Sequence, residues 1–147
     1  MRERQLSNKD FLKILKEQFK ISRVFYPGAD SDTVLEGPFN LNEIFYLDED
    51  KPSSAARFKG EGHYILAKYS RFPIRPSVFD ALFYQDNHST LEETLEMVRT
   101  VRPGGLIIHS NDTCGDELSV LSMGRLPGIS KVGLPYSNKH YTVFQKS

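Results

Sequence analysis

Residues 79–110 read FDALFYQDNHSTLEETLEMVRTVRPGGLIIHS. The first six, FDALFY, form a short, nearly continuous apolar run rich in strand formers, which predicts a strand buried on both faces. STLEETLEMVRTV then predicts a helix, with Ser89 or Thr90 as cap, Glu92 and Glu93 in the first turn, and Arg99 and Arg102 towards the end. Leu91, Leu95 and Val98 fall on one face of that helix. Pro103, Gly104 and Gly105 stop it, and LIIHS (106–110) reads as the next strand. A strand, a crossing helix and a second strand are the unit from which parallel sheets are built.

The same alternation extends in both directions. RVFY (23–26), EIFYLD (43–48) and HYILAKY (63–69) are apolar runs of strand length. Asp32 to Phe39 leaves room for a short helix broken at Gly37-Pro38, KPSSAARFK (51–59) for one or two helical turns, and SRFPIRPS (70–77), with two prolines, for an irregular link. Ahead of these, Ser7 reads as an N-cap with Asp10 three residues on, and Phe11, Leu12, Ile14, Leu15 and Phe19 predict an amphipathic helix over 8–20. Downstream, a helix is expected from about Asp116 to Gly124. Strands around ISKVGLP (129–135) and YTVFQK (141–146), joined by the polar YSNKH, predict an antiparallel hairpin at the sheet edge. The expectation is a single α/β domain over 1–147, with a mostly parallel seven-stranded sheet and helices on both faces.

The chain has 147 residues, and its 19 Lys and Arg balance 19 Asp and Glu. Net charge therefore favours neither nucleic acid nor an acidic membrane surface as partner. The lone Cys114 cannot form an internal disulfide and there is no C-x-x-C pair, which suits a reducing interior. The first twenty residues are charged throughout, without a leader's apolar run, and no apolar stretch approaches 18 residues. A soluble, cytoplasmic protein is expected.

The segment 79–110 resembles the middle of a class I S-adenosylmethionine-dependent methyltransferase. There a strand beginning Phe-Asp leads through a polar loop into a helix, and an Arg-Pro-Gly-Gly turn opens the next strand. RVFYPGADSD (23–32) sits where that family has its first strand and glycine loop, EIFYLDED (43–50) where the second strand ends in an acidic residue, and the terminal hairpin fits the family's ending. The resemblance covers nearly the whole chain from about Ile21. It implies a Rossmann-like methyltransferase fold, S-adenosylmethionine as cofactor and a small-molecule substrate.

The resemblance also implies a site. PGADSD aligns with G-x-G-x-G so that Gly28 keeps the first glycine, Ala29 follows, and Asp30 and Asp32 replace the second and third. A glycine loop lets backbone N–H groups approach the ligand closely. Asp30 would instead project where the cofactor's methionine part lies and oppose its carboxylate, whereas Asp32 also reads as the cap of a short helix. Asp48 matches the residue that accepts hydrogen bonds from the ribose hydroxyls. The acid expected at the adenine edge is missing, and Ser70 is the neutral substitute. Asp86, Asn87 and His88, after the fourth strand, stand where the family brings a base or orienting group to the methyl acceptor; Asp-Asn-His-Ser is equally a loop and helix cap.

Three functions follow from these residues. One is a small methyltransferase with an altered cofactor loop. Its short chain leaves little to cover the substrate, so it implies either a homodimer or an open site. The second is a methyltransferase-like domain that has lost the cofactor and works as a binding or interaction module. The third is a metal-assisted hydrolase, in which Asp30, Asp48, Asp86, His88, His109, Asn111 and Asp112 form an acidic rim for Mg²⁺ or Mn²⁺. Tyr26, Tyr46, Tyr64 and Tyr84 read as core residues rather than a stacking platform.

Overall fold

The computed structural model describes residues 4–27, 34–48, 63–67, 73–85, 90–111 and 116–147. In chain order the elements are β1 (Arg4–Gln5), α1 (Asn8–Phe19), β2 (Val24–Pro27), a 3₁₀ turn (Leu41–Glu43), β3 (Ile44–Asp48), β4 (His63–Leu66), β5 (Phe79–Tyr84), α2 (Leu91–Arg99), β6 (Val101–Ser110), α3 (Asp116–Gly124), β7 (Ile129–Lys131), β8 (Tyr136–Ser137) and β9 (Tyr141–Lys146). Seven strands form one sheet in the order β4-β3-β2-β5-β6-β9-β7. The first five are mutually parallel, and β9 runs antiparallel between β6 and β7. The expected terminal hairpin is present, with its second strand innermost.

Both faces of the sheet are covered, as a parallel sheet requires. Alternate residues of each strand supply the two cores. Val24, Tyr26, Ile44, Tyr46, Ala81 and Phe83 meet Phe11, Leu12 and Leu15 of α1. Phe25, Leu47, Leu82, Tyr84 and Ile107 meet Met97 and Val98 of α2 and Met123 of α3. Ser7 caps α1 by accepting from the Asp10 N–H, as its sequence predicts. Among the described residues no helix is long and apolar enough to cross a membrane.

Several expectations are corrected. Residues 34–39 form turns with a bridge between Glu36 and Phe39 rather than a helix. Thr90 caps α2 in a reciprocal capping box with Glu93, but Leu91 and Leu95 are 64% and 46% exposed, and the buried side is Met97 and Val98. The sheet lies under the last turn of α2, so the apolar residues of its first turns stay in solvent. Pro103 to Gly105 do not lie outside the strand either, because β6 begins at Val101 and contains them. Between Phe79 and Ala81 of β5, the partner strand advances from Val101 to Leu106, so RPGG is an irregularity within the β5–β6 pairing. YSNKH is partly strand: β8 pairs in parallel with β1, tying residues 4 and 5 to the far end of the chain.

The RPGG irregularity and the Phe-Asp of β5 are two sides of one contact. The Asp80 carboxylate accepts from Arg102 Nε (2.8 Å), the Ser22 N–H (2.8 Å) and hydroxyl (2.9 Å), and the Arg23 N–H (3.0 Å). Arg102 also donates to the carbonyl of Phe19 at the end of α1. Gly104 has φ +82°, which favours glycine, and a Cβ on Gly105 would meet the Asp80 carbonyl oxygen at 2.7 Å. Burial alone would push the Asp80 carboxyl up. The hydrogen bonds from Ser22, Arg102 and Arg23 outweigh it and hold the carboxyl below its ordinary value.

Two predictions follow from this contact. Asp80→Asn should lose about 2–3 kcal/mol in urea unfolding at neutral pH, because it turns donors on donors. A carboxyl with a lowered folded pKa stabilises fully above its unfolded pKa, and that stabilisation is lost as pH falls through the folded value. The gap between wild type and variant should therefore narrow below about pH 4. Gly105→Ala should cost about 1–3 kcal/mol by overpacking against backbone, whereas Gly133→Ala, where a Cβ meets nothing within 4 Å, should be near neutral by the same measurement.

Candidate functional site

In an open parallel sheet, ligands bind beyond the carboxyl ends of the strands where the strand order reverses. Here the chain grows from β2 outward through β3 to β4, then returns to place β5 on the other side of β2. The crevice therefore lies beyond Pro27 and Tyr84. Gln85, the residue after β5, spans the reversal: its Nε2 donates to the Tyr26 hydroxyl at 3.4 Å.

Beneath this bridge the α1 face is aromatic. The Tyr26 ring centroid lies 4.8 Å from that of Phe83 and 5.7 Å from that of Tyr46. Tyr26, Tyr46 and Tyr64 are register partners across β2, β3 and β4, which makes a row of tyrosines on one face. The Tyr26, Tyr46 and Phe83 rings are buried in the core between the sheet and α1, where they stiffen the strands that end at the crevice. On the opposite face the Tyr84 ring lies 4.7 Å from the His109 ring.

Asp48 is the last residue of β3, opposite Leu66 of β4 and one residue beyond Leu47, the partner of Pro27. Its backbone thus stands at the carboxyl end beside β2; its side chain lies outside the described residues. Gly28, Ala29, Asp30, Asp32, Ser70, Asp86, Asn87, His88 and Asp112 also lie outside them. By connectivity the first four follow β2, and Asp86 to His88 follow Gln85.

Two members of the expected acidic rim, His109 and Asn111, have described side chains, and both make structural contacts. His109 is fully buried, with Nδ1 2.7 Å from the Ser110 carbonyl oxygen. Asn111 closes the β6–β9 end: its N–H donates to the His140 carbonyl at 2.7 Å and its Oδ1 accepts from the Thr142 hydroxyl at 2.8 Å. Among the described residues no three His, Cys, Asp or Glu side chains gather to hold an ion. Sequence reasoning missed Gln85, for which the available signal was a polar residue directly after an apolar strand, while its reading of Tyr26, Tyr46 and Tyr84 as core residues holds.

No family model matches the chain, and no curated protein matches it in sequence. Solved structures do match. A methyltransferase from Geobacter sulfurreducens aligns over 94% of this chain and 77% of its own, with TM-score 0.63 and 12% identity. The 1,6-didemethyltoxoflavin-N1-methyltransferase of Burkholderia thailandensis, solved with 1,6-didemethyltoxoflavin and S-adenosylhomocysteine, aligns over 96% and 79%, with TM-score 0.59 and 14% identity. The [4+2]-cyclase SpnF aligns over 85% of this chain and 58% of its own, with TM-score 0.56 and 11% identity. The chain has the Rossmann-like fold of class I S-adenosylmethionine-dependent methyltransferases, as its sequence implies. That fold also carries a cyclase, so the fold by itself does not fix the reaction.

Proposed function

We propose that this protein is a small methyltransferase that takes S-adenosylmethionine in the crevice between β2 and β5 and methylates a small molecule. The observation that carries the reading is the strand order β4-β3-β2-β5-β6-β9-β7, with its reversal at β2 and β5. It is supported by a neighbour that aligns over 96% of the chain and was solved with S-adenosylhomocysteine. Two described features at the reversal support the reading: Gln85, directly after β5, is tied to Tyr26 of β2, and an acidic residue, Asp48, ends β3.

When bound, S-adenosylmethionine supplies an electrophilic methyl group on a sulfonium. In this reading Gly28 and Ala29 bring backbone N–H groups to the cofactor, Asp48 accepts from its ribose hydroxyls and Ser70 hydrogen-bonds at the adenine edge. Asp86, Asn87 and His88 orient the acceptor and take its proton. Asp30 opposes the cofactor's carboxylate and weakens binding.

A second reading, a cofactor-free binding module, is favoured by the two aspartates at glycine positions. Calorimetric titration separates the two. The enzyme reading expects S-adenosylhomocysteine to bind wild type with Kd at or below about 1 mM, about tenfold tighter after Asp30→Gly and at least several-fold weaker after Asp48→Ala. Binding that appears only in Asp30→Gly supports the second reading. No binding by either protein excludes a cofactor site, present or lapsed.

A further inference from the structure

A second concavity lies away from the crevice. A cleft of about 460 Å³ opens between the segment 131–138 and the start of β9, with Phe11 of α1 among its walls. That volume is in the range of small-ligand sites. Ser110 at the end of β6 pairs with Tyr141, which lines the cleft, so this wall stands two strands, about 10 Å, across the sheet from β5.

The polar groups of the cleft divide into two sets. Asn138 is committed: its amide donates to the Leu6 carbonyl and to Asn8 Oδ1, and its own Oδ1 accepts from the His140 N–H. Thr142 likewise donates to Asn111. The Lys131 ammonium, by contrast, has no ion pair or hydrogen bond among the described residues. The N–H groups of Gly133 and Leu134 have no acceptor there either. The Ser137 oxygen accepts from Gln5 Nε2, which leaves its own proton to donate.

Uncommitted donors without acceptors favour an anion. The charge distribution agrees. The last acidic residue is Glu117, and from Leu118 to Ser147 the chain carries Arg125, Lys131, Lys139 and Lys146 with no Asp or Glu, although the whole chain is balanced. No acidic residue is among the described residues that line the cleft. Lys131 is the one charged side chain among the described residues that line the cleft, and its positive charge favours anions there.

We propose that this cleft binds a small molecule bearing a carboxylate or phosphate on a compact apolar body. Lys131 is the counter-ion, the Gly133 and Leu134 N–H groups and the Ser137 hydroxyl are further donors, and the apolar part rests against Val132 and Tyr141. The proposal is independent of the cofactor reading, since the cleft and the β2–β5 crevice are lined by different residues.

The test is titration of the ¹⁵N-labelled full chain, without S-adenosylmethionine, with benzoate, phenyl phosphate and the neutral benzamide. One or both anions should shift the amides of Gly133, Leu134 and Thr142 saturably, and the stronger of the two identifies the headgroup. Benzamide, and the stronger anion with Lys131→Met, should each bind about three- to tenfold more weakly, and Lys131→Arg should restore the affinity. Lys131 is exposed, so neither variant endangers folding. The proposal is overturned if neither anion saturates these amides by about 10 mM, if benzamide binds equally well, or if Lys131→Met leaves the affinity unchanged.

Discussion

The Asp80 carboxylate holds the place where the two halves of the sheet meet. The direct pairing of β2 with β5 is short, running through Val24 with Ala81 and Phe25 with Leu82. Just ahead of it Asp80 gathers the backbone of Ser22 and Arg23 from the entry to β2 and the guanidinium of Arg102 from β6, while Arg102 reaches the last carbonyl of α1. Four elements are therefore fixed by one charge whose donors surround it. Without it, the register between β2 and β5 would rest on a few backbone bonds, and the reversal of strand order would lose its anchor.

This contact explains why two short motifs point so strongly to one fold. Phe-Asp at the start of β5 and Arg-Pro-Gly-Gly in β6 are far apart in sequence, yet they are complementary. Arg102 pairs with Asp80, Gly104 takes a backbone angle that favours glycine, and Gly105 leaves room for the Asp80 carbonyl. All of this lies at the amino ends of the strands. The crevice opens at their carboxyl ends, beyond Pro27 and Tyr84. Phe-Asp and Arg-Pro-Gly-Gly, two of the motifs that carry the resemblance, are thus frame residues, and the frame is compatible with more than one chemistry, as the cyclase with the same fold illustrates.

What could be read from the sequence follows the same division. Strand runs and the periodic face of α1 were legible because burial imposes them on every residue of the element, and the start of α2 was legible to within one residue, Ser89 or Thr90, the structure choosing Thr90 through its reciprocal bonds with Glu93. The exposure of Leu91 and Leu95 was not, because it depends on how far α2 extends past the sheet. The pairing of β1 with β8 joins residues more than 130 apart and leaves no local pattern. At the site, Asp48 was placed at its strand end by pattern alone, whereas the Gln85–Tyr26 bridge depends on the strand order and could be seen only once the sheet was assembled.

The Asp80 contact at the amino ends of the strands is structural, and the cofactor site proposed above lies at the opposite, carboxyl ends. Amide shift mapping with S-adenosylhomocysteine on the ¹⁵N-labelled protein tests it most directly. Saturable shifts are expected at Tyr26, Asp48 and Gln85, with Ser22, Asp80 and Arg102 unmoved. Shifts centred on Ser22 and Asp80, or none at the crevice, would contradict it.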